Sequence, residues 1–463
     1  MRFSEKTQSI LVKIEILAAV VLFFVMLISC GFYIDIKLNG KISNLPSLSE
    51  NDKKILMISS VSESVNYSDD LLEPVFVGFK QDEVMKAVLP VDDVRKSVEE
   101  NVYETLGLLF GGEKKKIEFE SVNENINYIE RKKYSRTYML VEFFDDLPSS
   151  VVLPCILSDY KGTLRDKSFV FKYLFILPDE NGNVYGCAVS KNLEVCELFP
   201  KSVIRFDKIL NESYDISEGF TDFEYSDTSL LYPVLASSVT VEDKRLESYA
   251  AGFGKDSDLA WIDNLFDVFS FNTNLVRSFI SGDGTEINYV QESCELIVAD
   301  SGTVEFKTSD DVGILLNEFL GSAFEIGGDL TFSDKIFSLK NIINRIAGKG
   351  SGMSFSLVGL NYDSDAETLK VYFKYTADGV FVFNSNFDAV FEIRNNELVY
   401  AKFIAAKCIG TETFTTVMPQ KYASLSNNDT AGTPRVFLAM NMQDDGIRKV
   451  CWVNSSVSSE VNE

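Results

Sequence analysis

The stretch VYFKYTADGVFVFNSNFDAVFEIRNNELVYAKF, Val371 to Phe403, reads as strands punctuated by turns at Asp378-Gly379 and Asn395-Asn396. Together with SFSLVGLNY and TLKVYFKY, and closed by LVYAKFIA, it makes the region beyond Gly352 almost pure sheet. Helices are grouped ahead of this run of hairpins instead of alternating with single strands. That order implies α+β, not a parallel α/β sheet.

Those helices are legible from apolar spacing. In DSDLAWIDNLFDVFS, Leu259, Ile262, Leu265, Phe266 and Phe269 form a helical stripe opened by a cap at Asp256 or Ser257. A hairpin follows in EINYVQESCELIVADSGTVEFKT, with alternation at Cys294, Leu296 and Val298, a Ser301-Gly302 turn, then Val304 and Phe306. Two more helices are expected. One lies after Ser309 with Val312, Leu315, Leu316, Phe319 and Leu320; the other is capped by Ser333, carries Ile336, Leu339, Ile343 and Ile346, and ends at Gly348. This makes a second α+β region over 233–410.

Farther towards the N-terminus, 55–214 reads as a first α+β domain. Its clearest helix follows Pro90, with Asp92 or Asp93 as cap, Val94, Val98, Val102, Leu106 and Leu109 on one face, and Gly111-Gly112 as the stop. TYMLVEFF, SVVLPCIL and SFVFKYLFIL read as strands, the last turning at Asp179-Glu180-Asn181-Gly182-Asn183 into VYGCAVS. The acidic, weakly periodic residues 215–232 are the expected connection. The segment 411–463 holds one apolar run, RVFLAMNM, and a polar tail.

Residues 16–34, ILAAVVLFFVMLISCGFYI, carry no charge between Glu15 and Asp35. As a helix they would span roughly 28 Å, close to the hydrocarbon thickness of a bilayer. We read them as a retained transmembrane anchor, with 1–15 as a short cytoplasmic segment and 35–54 as a linker. Leu27-Ile28-Ser29-Cys30 also resembles a bacterial lipobox, which makes Cys30 a candidate lipidation site and gives a lipid-anchored alternative. Against cleavage, the apolar run continues through Gly31, Phe32, Tyr33 and Ile34. Arg2, Lys6 and Lys13 before the helix, against Lys37 and Lys41 after it, place the N-terminus in the cytoplasm and the main body outside. The whole is expected as a single-pass protein of the cell membrane with two or three exported domains.

The chain has 44 basic and 69 acidic side chains, a net charge of -25, and no histidine. Such a surface repels polyphosphate, so nucleic acid is not an expected partner. Without histidine the Ser-His-Asp and Cys-His arrangements, H-E-x-x-H zinc sites and the usual neutral-pH proton shuttle are excluded.

Remaining chemistry weighs towards structural roles. The six cysteines beyond Cys30 (Cys155, Cys187, Cys196, Cys294, Cys408 and Cys451) show no C-x-x-C spacing, and both disulfides and buried free thiols stay open. The doublets Asp69-Asp70, Asp92-Asp93, Asp145-Asp146, Asp310-Asp311 and Asp444-Asp445 are what a chain with this many acids produces. Asp179 to Asn183 has calcium-loop residues but places Ser190 at the twelfth position, where a bidentate glutamate is needed, so a hairpin turn is the better reading. Ser158-Asp159-Tyr160-Lys161 matches S-x-x-K with no K-T-G element to accompany it. Gly348-Lys349-Gly350-Ser351-Gly352 follows a helix where a phosphate loop would open one. No catalytic residue, metal site or cofactor is assigned, and the protein is not expected to be an enzyme.

LFDVFSFNTNLVRSF followed by TEINYVQESCELIVADSGTVEF resembles the YycH/YycI group of membrane-anchored regulatory proteins of Gram-positive bacteria. The stretch from Val371 to Phe403 resembles that group's closing sheet. The resemblance spans about 256–408 and rests on the order of elements. It implies a non-enzymatic regulator that binds a membrane sensor histidine kinase of a two-component system, often beside a related anchored regulator. The alternative is a lipid-anchored binding protein for a peptide, glycan or cell-wall fragment.

Overall fold

The computed structural model describes residues 72–89, 95–156, 169–207, 221–225, 231, 233–250, 259–309, 313–320, 330, 332–347, 351–363, 366–382, 389–420, 422, 436–442 and 447–454. The expected anchor over 16–34, the linker over 35–54 and Cys30 lie outside the described residues. No helix among those described is long and apolar enough to cross a membrane. The chain divides into Met1–Val65 with Leu320–Gly328, and Asn66–Phe319 with Asp329–Glu463. Every element described below lies in the second unit.

The architecture is α+β and rich in sheet. A first, nine-stranded sheet is built from β1 (Phe76–Gln81), β2 (Val84–Val88), β3 (Glu113–Ile117), β4 (Thr137–Pro148), β5 (Val170–Pro178), β6 (Val184–Val189), β7 (Val195–Phe199), β8 (Thr221–Tyr225) and β9 (Pro233–Leu235). Its order is β3-β7-β6-β5-β4-β1-β2-β8-β9, with antiparallel neighbours throughout. Helix α1 (Arg95–Phe110) lays Val98, Val102, Leu106 and Leu109, all fully buried, towards this sheet. It ends where Gly111 N–H reaches back to Gly107 O, as the paired glycines predict.

Two further helices belong to this half. Helix α2 (Val122–Lys133) was not foreseen; Ser121 caps it by accepting from Glu124 N–H. Helix α3 (Ser149–Ile156) covers all but the last residue of SVVLPCIL, which was expected as a strand. A short apolar run buries its side chains equally well in either conformation, and packing of this one against α1 selects the helix.

The second sheet has fourteen strands: β10 (Val239–Ser248), β11 (Arg277–Ile280), β12 (Glu286–Gln291), β13 (Cys294–Ala299), β14 (Thr303–Thr308), β15 (Ile314–Leu315), β16 (Ser354–Asp363), β17 (Thr368–Ala377), β18 (Val380–Val382), β19 (Ala389–Arg394), β20 (Glu397–Ile404), β21 (Ala406–Val417), β22 (Val436–Met442) and β23 (Ile447–Asn454). The path runs β11-β12-β13-β14-β20-β19-β17-β18-β22-β23-β10-β21, with β15 beside β20 and β16 beside β17. Its pairs are antiparallel except β18 with β22. The turns at Asp378-Gly379 and Asn395-Asn396 have φ of 49°, 72°, 52° and 73°, the left-handed values that tight hairpins require.

Alternation then sorts the sheet. Leu296, Val298, Val304, Phe306, Phe373, Phe391 and Phe403 point inward, where Phe269 stacks on Phe306 at 4.8 Å and Phe391 on Phe403 at 6.0 Å. Helix α4 (Leu259–Val268) brings Leu265 and Phe266 to this core, and α5 (Phe332–Ala347) adds the buried Ile336, Leu339, Ile343 and Ile346.

Two helical expectations are corrected. After Ser309 the chain forms β15 and a single 3₁₀ turn, Leu316–Phe319. Gly313 N–H is held by Glu397 and Leu316 N–H by Asn396 O, so the backbone is committed to β20 and its turn. In α5 the helix begins at Phe332, which puts Ser333 in the first turn instead of at the cap.

Candidate functional site

Strand β4 carries the largest irregularity of the first sheet. Glu142 stands opposite Tyr173 and Leu147 opposite Phe171, so Phe143 to Asp146 bulge out of the β4–β5 register. The bulge sends its side chains in different directions. Phe144 meets Phe381 of the second sheet edge-on at 5.4 Å, with Lys374 Nζ 5.2 Å from its ring centroid. Val75 and Tyr372 pack around the same cluster of Val358, Phe381 and Ala439. A further link between the halves is the packing of α3 on α5.

The acids of the bulge meet lysines. Asp145 accepts from Lys191 Nζ at 2.9 Å, and Asp146 accepts from Lys191 N–H at 2.9 Å. Lys172 Nζ lies 3.9 Å from Glu142, whose side chain is fully buried. Burial raises the Asp146 carboxyl above the ordinary aspartate range, against the hydrogen bond and charge of Lys191. Burial likewise lowers Lys172, although Asp145 and Asp146 pull the other way. The doublet Asp145-Asp146 therefore forms part of an ionic joint beside the contact between the sheets. Of the other doublets, Asp69-Asp70, Asp92-Asp93, Asp310-Asp311 and Asp444-Asp445 lie outside the described residues, as does Ser158 to Lys161.

A second polar cluster clasps α2 to β6 and β7. Tyr128 donates to Glu197, and Lys132 donates to Tyr185 Oη at 3.0 Å while lying 3.5 Å from Glu197. The same ammonium stands 4.5 Å from the Tyr128 ring centroid and 4.9 Å from that of Tyr185. Burial, then the bond to Glu197, holds the Tyr128 hydroxyl far above the usual phenol range. Sequence reasoning missed this clasp together with its helix. The signal for the helix was the S-x-x-E capping pattern from Ser121 to Glu124.

Cysteines among the described residues can be placed. Cys187 and Cys196 are buried free thiols. Burial pushes the Cys187 thiol up to about 12 and that of Cys196 to about 11, so both stay protonated and unreactive near neutrality. In the loop at Asp179, that carboxylate accepts from Asn181 and Asn183 N–H at 2.8 and 2.7 Å, and Gly182 has φ +78°: a hairpin turn. At the end of the glycine-rich loop, Ser351 O accepts from Cys408 N–H at 2.6 Å, joining the chain to β21. Among the described residues no group of three or more potential ligands is placed to hold a metal ion.

No family model matches the chain, and no curated protein matches it in sequence. Among solved structures it is similar to YycH from Bacillus subtilis, with 12% identity and a TM-score of 0.55, covering 86% of this chain and 98% of that one. An uncharacterized protein from Eubacterium rectale is a more distant likeness, with 8% identity and a TM-score of 0.32 over 50% of this chain and 80% of that one. The fold is therefore YycH-like.

Proposed function

We propose that this chain is a membrane-anchored extracytoplasmic regulator that binds a sensor histidine kinase of a two-component system and shifts the balance between its signalling states without catalysing a reaction. The observation carrying this reading is the YycH-like fold over 86% of the chain. It agrees with the order of elements that resembles the YycH/YycI group, whose members regulate such kinases. The uncharged run from Ile16 to Ile34 supports a single-pass anchor with the body outside. Tethering beside a membrane partner raises its effective concentration, so a modest contact surface suffices.

Crosslinking in native membranes with identification of neighbours tests the proposal. A sensor kinase among the adducts is expected, with or without a related anchored regulator, and its reproducible absence would overturn the reading. Leu27-Ile28-Ser29-Cys30 favours one alternative, a lipid-anchored binding protein for a peptide, glycan or cell-wall fragment. Mass added at a mature N-terminal Cys30 would support that alternative, whereas an intact N-terminus supports the regulator.

A further inference from the structure

Sheet edges are where unpaired backbone groups stand ready to pair, and proteins commonly guard them. Three of the ends here are guarded. The β3 edge carries Lys114, Lys115 and Lys116 in succession. At β9 the Leu235 N–H is taken by the Gln420 side chain at 2.9 Å. In β21 the residue Glu412 has φ +59° within a bulge of that strand opposite Glu242 to Lys244 of β10, which breaks the regular ladder.

The β11 edge is different. All four of its residues are exposed, Phe279 at 56% and Ile280 at 70%, and Leu275 just before it is at 60%. Among the described residues no strand pairs with its outer side. Ile280 stands beside Ile287, which stands beside Val298, then Val304, then Phe403. The last three are buried, so Ile280 is the uncovered end of an inward-facing apolar row.

The register identifies the free backbone groups. Ser281 N–H bonds to Glu286 O, closing the hairpin with a hydrogen-bonded pair. Antiparallel pairs alternate, so Phe279 and Arg277 direct their backbone groups to β12, and Ser278 and Ile280 direct theirs outward.

Charge narrows the occupant. Between residues 271 and 300, Arg277 is accompanied by Asp283, Glu286, Glu292 and Asp300, while Glu295 is paired with Lys307. Asp283 accepts from the Ser281 hydroxyl at 2.6 Å and from Thr285 N–H at 3.1 Å, both bonds favouring its ionised form. A second copy would bring the same negative hairpin and be repelled. We infer that the outer edge of β11 accepts, as an added strand, an extended segment of a partner protein that alternates basic and apolar residues. Ser278 and Ile280 would supply the backbone hydrogen bonds, and the acidic hairpin would select the basic side chains. This surface is independent of the regulatory reading and of the mode of membrane attachment.

The test uses the full-length chain in detergent and a fluorescein-labelled seven-residue peptide alternating lysine with valine, followed by anisotropy and backbone hydrogen exchange. Binding is expected to weaken at least tenfold for Ser278→Pro and Ile280→Pro, and at least tenfold when glutamate replaces lysine in the peptide. Proline at these outward positions removes no bond to β12, and unchanged protection of the Arg277 and Phe279 amides would show the hairpin intact. Bound peptide should slow exchange at Ser278 and Ile280. Absence of binding, equal binding by the proline variants, or protection confined to another part of the chain would overturn the inference. So would self-association of the peptide-free chain that the same prolines abolish, because the occupant would then be a second copy.

Discussion

The β4–α2 part of the first sheet and the β13–β20 part of the second handle charge differently. The first draws ionisable groups inside: Glu142 is fully buried beside Lys172, and Lys132 and Glu197 are largely covered beneath α2. Across β13, β14, β17, β19 and β20 the second keeps its ions on an outer face, in cross-strand pairs fixed by register, whereas its β10 buries Asp243 and Lys244. Glu295 stands opposite Lys307, Glu305 opposite Lys402 and Lys370 opposite Glu392, at 2.8, 3.1 and 3.4 Å. Alternation accounts for the second arrangement, since these strands turn Leu296, Phe306, Phe373, Phe391 and Phe403 inward and their paired charges out. The first arises from irregularity, because the β4 bulge and the docked α2 carry polar side chains where a regular sheet would not. Removing one member of an interior pair leaves a charge stranded, whereas an exposed survivor is simply hydrated.

The sharpest way to break this contrast is Lys172→Ala, which removes the ammonium 3.9 Å from the fully buried Glu142 carboxyl. We expect a loss of about 3 to 5 kcal/mol, read as a lower urea midpoint at unchanged slope. The paired replacement Glu142→Leu with Lys172→Met should recover most of that loss, because apolar side chains of similar volume often replace a buried pair at little cost. A Lys172→Ala protein as stable as its parent would show that water reaches Glu142 and that the two sheets do not differ in this respect.

The clasp of α2 should show a smaller effect. Tyr128→Phe removes the hydroxyl that donates to Glu197 and is expected to cost about 2 kcal/mol, the scale of a hydrogen bond to a charged group. Lys132→Met and the double variant complete a cycle, and a coupling energy above about 0.5 kcal/mol is expected for residues sharing one acceptor. Additive losses would mean that each residue holds α2 separately.

Much of the second sheet was legible, and the reason is local. From β17 to β20 the alternation and two left-handed turns are written in neighbouring residues, so the hairpins follow without knowledge of the rest, although the register shift at Glu392/Ile393 does not. Helix α2 was illegible as an apolar stripe because only Ile129 and Lys133 are buried along it; its cap was the remaining signal. The region after Ser309 was misread because the bonds that hold it come from Asn396 and Glu397, distant in sequence. For the same reason neither ionic cluster could be read in advance: Glu142 meets Lys172, and Tyr128 meets Glu197, only once strands are paired. The exposure of Phe279 and Ile280 depends on β11 lying at the end of the sheet, which its own residues do not announce.

The smallest expected effect lies on the outer face. Lys307→Ala should cost less than about 1 kcal/mol, and less again at high salt. Its sign under alkali carries more information than its size. The bond to Glu295 raises the folded-state pKa of Lys307, so its contribution is complete below the ordinary lysine value of about 10.4 and fades as pH rises through the raised value. Lys172 is lowered by burial, so on the way up to about 10.4 the folded state loses that proton first and stability rises with pH. Subtracting the urea stability curves of Lys307→Met and Lys172→Met from that of the parent between pH 8 and 11 (~3 units around the lysine range) should give slopes of opposite sign. Two slopes of the same sign would place both lysines in equivalent surroundings and remove the distinction between the sheets at the level of single protons.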